Sequence, residues 1–324
     1  MTMEGRKGMI SLAVFMVIAA GFPWVLTNEY YISILILSGI SAIGVVGLNL
    51  LLGFAGQISL GHAAFYGISA YTSAILTVNY GFPVSAGIAS GVVLSALVAF
   101  VIGIPALKLK ALSLAMATLG FGLIVYIFIN ETITLTGGPS GFVGIPRFNV
   151  LGYEFFSDMS YYYLVATTLT VVIIISLNLI NSRTGRALKA IHSSENAARV
   201  MGINVHRCKL FVFVLSAVFA AVAGGLYAHY LSFVAPSSFG FHFSLQLIVM
   251  AILGGMSSVW GGVIGALFLT SMPEFLRMYE ELEIILYGII LILCMMFMPQ
   301  GLAGGLGGLS GYISGRLFRG RSDD

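Results

Sequence analysis

From Tyr30 to Leu107 the chain carries no Lys, Arg, Asp or Glu. The whole chain is 59% hydrophobic and 8% charged, against about 25% charged in ordinary soluble domains. That combination describes a polytopic membrane protein, all-α because helices satisfy every backbone polar group inside lipid. One stretch of the block fits poorly as plain helix. Residues 44–71 read GVVGLNLLLGFAGQISLGHAAFYGISAY; Gly53, Gly56 and Gly61 break the apolar run, and Asn49, Gln57, Ser59 and His62 punctuate it. Two readings fit: an interrupted helix lining a pathway, or close helix packing through glycine.

Charges divide the rest into uncharged blocks, and a span needs about 20 residues. Residues 8–28 hold one span, 30–107 three, 111–130 one, 159–182 one, 210–273 three and 284–298 a short one. Breaks fall near 53–61, 80–83, 235–240 and 254–262. The expected count is ten, in the order one, three, one, twice over. Arg6 and Lys7 before the first run could open a signal peptide, but the run is long enough to be a retained first helix. With the N-terminus in the cytoplasm, 13 of the 15 basic residues fall inside and only Arg147 and Arg277 outside. The positive-inside rule selects that orientation, with both termini cytoplasmic.

Five spans in each half make residues 1–158 and 159–324 an expected inverted repeat. The Gly/Ser-rich interruptions at 53–61 and 254–262 are read as corresponding positions, and paired interruptions point to a transport site.

The one substantial cytoplasmic loop, 181–209, reads NSRTGRALKAIHSSENAARVMGINVHRCK, with six basic residues against Glu195. Ser194 predicts an N-cap, Glu195 suits the positive helix end and Gly202 a C-terminal stop. A second short helix is expected over 186–192. The loop is either a docking element for a cytoplasmic partner or an orientation signal touching anionic lipid. The external segment 131–160 is rich in Gly and Pro and predicts a compact loop; Phe155, Phe156, Tyr161, Tyr162 and Tyr163 are placed in an aromatic belt. His62, His229 and His242 lie in or beside spans without metal-ligand spacing, so they read as hydrogen-bonded pathway or packing residues. Cys208 and Cys294 read as small apolar residues. No catalytic or metal site and no cofactor is expected. The chain has no carboxylate within a span for ion coupling and no P-loop, so energy for active transport must come from another chain.

Four motifs carry a resemblance: GLNLLLGFAGQISLGHAAF (47–65), LSLAMATL (112–119), TGGPSG (136–141) and SRTGRALKAI (182–191) followed by Glu195-Asn196-Ala197-Ala198 and Gly202. Together they resemble the inner-membrane permease subunits of branched-chain amino acid ABC importers, LivM-type foremost and LivH-type as a near relative. The resemblance spans about residues 37–299. It implies a second, LivH-type permease subunit, two ATP-binding subunits and an extracytoplasmic substrate-binding protein, with no nucleic-acid partner. Arg183, Arg186, Lys189, Glu195, Ala198, Arg199 and Gly202 become the expected ATPase-coupling residues. Asn49, Gly56, Gln57, Ser59 and His62 become the expected substrate pathway, since a zwitterion in transit needs polar groups or backbone dipoles. A same-fold permease for urea, amides or a sugar, and a stand-alone facilitator, remain open on these grounds.

Overall fold

The computed structural model describes residues 3–25, 28–109, 111–150, 153–155 and 157–276, scattered positions between 285 and 296, and 301–304. The expected tenth span and Phe156 lie largely outside the described residues. The main helices among the described residues are α1 (Met3–Val25), α2 (Glu29–Asn49), α3 (His62–Asn79), α4 (Val84–Ala106), α5 (Ala111–Glu131), α6 (Ile133–Thr136), α7 (Asp158–Asn181), α8 (Arg183–Ser193), α9 (Glu195–Val200), α10 (Val205–Leu231), α11 (Phe241–Gly254) and α12 (Val259–Leu276). Six described helices are long and apolar enough to cross a membrane: Glu29–Phe54, Val84–Ala106, Leu112–Glu131, Asp158–Asn181, Val205–Leu231 and Val259–Leu276; Ser11–Pro23 and Phe241–Gly254 are shorter apolar helices. The protein is a multi-pass membrane protein.

α10 is the central post. It packs on α2, α3 and α4, while α2 in turn packs on α7, α11 and α12. Close approach is what glycine provides here. A Cβ on Gly224 of α10 would lie 2.0 Å from the Tyr66 carbonyl of α3, so any side chain would force the two backbones apart. The packed pairs have a simple regularity. Exchanging α2 with α10, α3 with α11 and α4 with α12 turns α3–α10, α4–α10 and α3–α4 into α11–α2, α12–α2 and α11–α12, all of which are present.

Under that exchange of labels the α2–α3 break falls opposite the α10–α11 break at 232–240. The segment at 254–262 hydrogen-bonds to Asn49 and Gly53, as described below. The sequence pattern could not separate equivalence from contact, because both segments are Gly/Ser-rich.

Tyr161 and Tyr162 leave the expected aromatic belt as well; both are buried. Pro23 has no N–H to offer the carbonyl four residues back. Tyr162 Oη donates to that carbonyl, Ala19 O, at 3.0 Å, and Tyr163 Oη donates to Ala20 O at 3.1 Å. The proline of α1 is thus docked to α7 by two phenols. Tyr161 Oη donates to Leu226 O of α10 at 2.6 Å.

The same end of the bundle is closed by short pieces. β1 (Phe142–Val143) pairs antiparallel with β4 (Phe233–Val234), and β2 (Asn149–Val150) with β3 (Tyr153–Glu154).

Candidate functional site

α2 does not stop at a cap. The residues that continue it, Leu50–Phe54, widen into a π-helical turn, a geometry that recurs at functional sites. Asn49, just before it, is buried and spends its whole amide on the α11–α12 turn. Its Nδ2 donates to Gly255 O (3.1 Å) and Ser258 O (2.8 Å), and its Oδ1 accepts from Ser257 N–H (3.1 Å). Ser257 Oγ donates to Gly53 O at 2.6 Å. A Cβ on Gly53 would sit 2.2 Å from Ser257 N, which explains glycine there. Gly56 has φ +65 and lies under α8, with His192 Nδ1 2.9 Å from where its Cβ would be. The left-handed backbone favours glycine at this position, and a side chain there would meet the His192 ring.

Beyond Gly56 the chain turns back into the bundle. Leu60 N–H donates to Thr118 Oγ1 of α5 at 3.0 Å. His62 is fully buried, with Nδ1 2.9 Å from Ser59 Oγ and Nε2 2.6 Å from Ser216 Oγ of α10. Ser216 is eleven residues into α10, about 16 Å along it at 1.5 Å per residue. α3 therefore begins well inside the bundle. Its free N-terminal donors need partners, and Ser244 Oγ of α11 accepts from Ala63 N–H at 3.0 Å. The first turns of α3 and α11 meet there. A second histidine–serine pair ties α3 to α10 further along: Ser73 Oγ and His229 Nε2 are 2.7 Å apart, and His229 Nδ1 is 2.7 Å from Pro146 O. A carbonyl only accepts, so His229 carries its proton on Nδ1 and Ser73 donates to Nε2.

Gln57 is the exception in this economy of partners. It is 2% exposed, and neither Oε1 nor Nε2 has a hydrogen-bond partner among the described residues. Of the five expected pathway residues, the structure joins Ser59 to His62, ties Asn49 to the 255–258 turn, leaves Gly56 at the surface against His192, and holds Gln57 between them with its amide uncommitted.

The basic loop folds as two helices. Ser182 Oγ caps α8 by accepting from Gly185 N–H, so α8 starts at Arg183 rather than Arg186. Ser194 Oγ caps α9 by accepting from Ala197 N–H, and Gly202 (φ +81) follows its end. Leu188 faces inward from α8, and Ile191, Ala198 and Val205 form a small core of their own. Arg183, Arg186 and Lys189 are exposed along the opposite face of α8. Glu195 bonds Lys209 and lies 3.6 Å from Arg199. Val200 and Met201 project from the tip at 89% and 79% exposure. α8 and the π turn together border a cleft of about 520 Å³, lined in part by Gly53, Lys189, His192, Ser257 and Trp260.

Sequence reasoning missed Ser216, Ser244 and Ser257, whose spacing announces nothing because their partners are 154 to 204 positions away. Val200-Met201 stands in the sequence as an apolar pair within a basic loop.

Comparison with known proteins places these features in a family. Residues 30–295 match the family described as "Branched-chain amino acid transport system / permease component". The chain is 33% identical to the high-affinity branched-chain amino acid transport system permease protein LivM of Escherichia coli, over 91% of this chain and 75% of that one. It is 34% identical to the LivM protein of Salmonella typhimurium with the same coverage. To the LivH permease protein of Escherichia coli it is 27% identical, over 80% of this chain and 89% of that one. No solved structure matches.

Proposed function

Starting from the fact that this chain belongs to the branched-chain amino acid transport permease family, we propose that it is a permease subunit of an ATP-driven importer for branched-chain amino acids. The observation that carries the reading is the family match across residues 30–295. It takes in the broken α2–α3 helix and the α8–α9 loop together. In this reading the chain pairs with a LivH-type permease in a cell inner membrane, with both termini and α8–α9 cytoplasmic. Two ATP-binding subunits hydrolyse ATP, and an extracytoplasmic binding protein delivers substrate. Residues 1–158 and 159–324 form the two inverted halves, a proposal supported by the exchangeable helix pairs of the bundle.

Within the broken segment, Gln57 is the foremost pathway residue. A buried amide without partners is costly unless something else bonds it, and it can both donate to and accept from a passing zwitterion. Ser59 and His62 stand next to it, and Asn49 and Gly56 hold the segment in place. The ATP-binding subunits dock on Arg183, Arg186 and Lys189 of α8 and on the α9 tip. There Glu195, Ala198, Arg199 and Gly202 shape the helix that presents Val200 and Met201.

The test is leucine uptake by the complete importer reconstituted in vesicles. Gln57→Ala combined with His62→Ala should lower the uptake rate, and parental uptake would remove these residues from the pathway. Charge reversal at Arg186 and Arg199 should uncouple ATP hydrolysis from uptake. Solute flux through this chain alone, without nucleotide, would overturn the importer reading.

A further inference from the structure

The polar knot between the two broken segments borders the same cleft as α8, and we infer that Asn49 and Ser257 are positioning residues that carry displacement of α8 into the α11–α12 turn. The inference rests on the proposed docking of ATP-binding subunits at α8.

The chain of contacts is continuous. His192 of α8 stands over Gly56, whose lack of a side chain lets the helix approach the backbone. Gly56 follows the π turn Leu50–Phe54, and Gln57 N–H closes back on Leu51 O at 3.1 Å. From the same turn, Gly53 O and the Asn49 amide reach the α11–α12 turn through four hydrogen bonds. Ser257, the receiving residue, has φ +65, a left-handed conformation that costs a non-glycine residue energy and persists only where its surroundings enforce it. Here the enforcement is the bond of its hydroxyl to Gly53 O and of its N–H to Asn49. A π turn closes its hydrogen bonds over one residue more than an α-helix does, so a return to α geometry would be a discrete change of register, the kind of two-state element that coupling between distant sites uses. Displacement of α8 against Gly56 then moves the π turn. The knot hands that movement to the start of α12 and the end of α11, the helix whose first turn meets α3 in mid-bundle.

A static strut and a transmission make different predictions. Ser257→Gly keeps the left-handed backbone at ease and deletes only the hydroxyl bond to Gly53 O. His192→Ala removes the ring that stands over Gly56 and leaves α8 in place. In the complete importer in vesicles, both variants should hydrolyse ATP near the parental rate. Amino acid imported per ATP should fall roughly 2- to 30-fold, the range of mutations along a coupling network. If uptake and hydrolysis fall in proportion, or both stay parental, the transmission role is wrong. Co-purification of the ATP-binding subunits with an Arg183→Glu, Arg186→Glu variant separates the two ideas. Unchanged co-purification and coupling in that variant overturns docking at α8. Loss of co-purification there, together with parental uptake per ATP in Ser257→Gly and His192→Ala, overturns the transmission alone.

Discussion

Two connections turn back into the bundle, 56–61 between α2 and α3 and 232–240 between α10 and α11, and they are held by opposite means. The first is built from small and polar residues and is secured by hydrogen bonds, from Asn49 and Ser257 at its base to Thr118, Ser216 and Ser244 along its length. The second has a strand pair, β1 with β4, for its backbone and a set of rings for its bulk. Phe239 lies 5.8 Å from Tyr66, 5.9 Å from Tyr71 and 6.0 Å from Tyr227, centroid to centroid. Backbone that leaves a helix inside a membrane must find internal partners. Side chains supply them in the first connection. In the second a ladder supplies them and frees the side chains for packing. A polar connection is also the one that leaves room for an uncommitted amide such as Gln57.

The contrast can be broken most directly at Asn49. Asn49→Ala leaves the buried Gly255 carbonyl without its partner, at about 1–3 kcal/mol, and frees two half-buried backbone groups of the same turn at lower cost, so the purified chain should melt at a clearly lower temperature. Asn49→Asp should not restore it, because a carboxylate donates nothing to Gly255 O and Ser258 O. A melting curve close to the parent's would mean that the first connection is held by packing after all. At the second connection, Phe239→Ala should cost about 3–5 kcal/mol, whereas Phe239→Leu should keep most of the stability. Equal losses for the two would point to a specific ring interaction rather than filled space. The smallest effects compare two serine caps. Ser244→Ala removes a buried partner from Ala63 N–H and should approach the upper end, about 2 kcal/mol, of cap losses. Ser194→Ala exposes Ala197 N–H to water and should fall near the lower end, about 0.5 kcal/mol. A reversed order in the same unfolding assay would contradict the assignment of α3's start to the bundle interior.

Legibility in the sequence followed the reach of each interaction. The Ser194 cap and the Gly202 stop of α9 were readable because their partners lie within three residues or so. The α2–α3 break was readable as a break, from three glycines and four polar residues in an apolar run. Its wiring was not. Asn49 reads equally well as a pathway residue until the 255–258 turn, more than 200 positions on, takes up its amide. Tyr161 and Tyr162 show the same limit. Two tyrosines at a helix start resemble an interfacial belt, and only the proximity of Pro23 and of α10 turns them inward.

Composition and charge spacing alone determined that this chain lives in a membrane as an all-α bundle, where its helices break, and which loop is basic and capped. Those properties depend on transfer free energy and on contacts a few residues apart, both of which are written locally. Which broken ends face each other, which polar groups are used up in holding them, and that Gln57 is buried with its amide unspent among the described residues were decided only by the tertiary structure. Hydrogen bonds across 150 to 200 residues have no periodicity to read, and they exist only once α2, α3, α10 and α11 have been brought together.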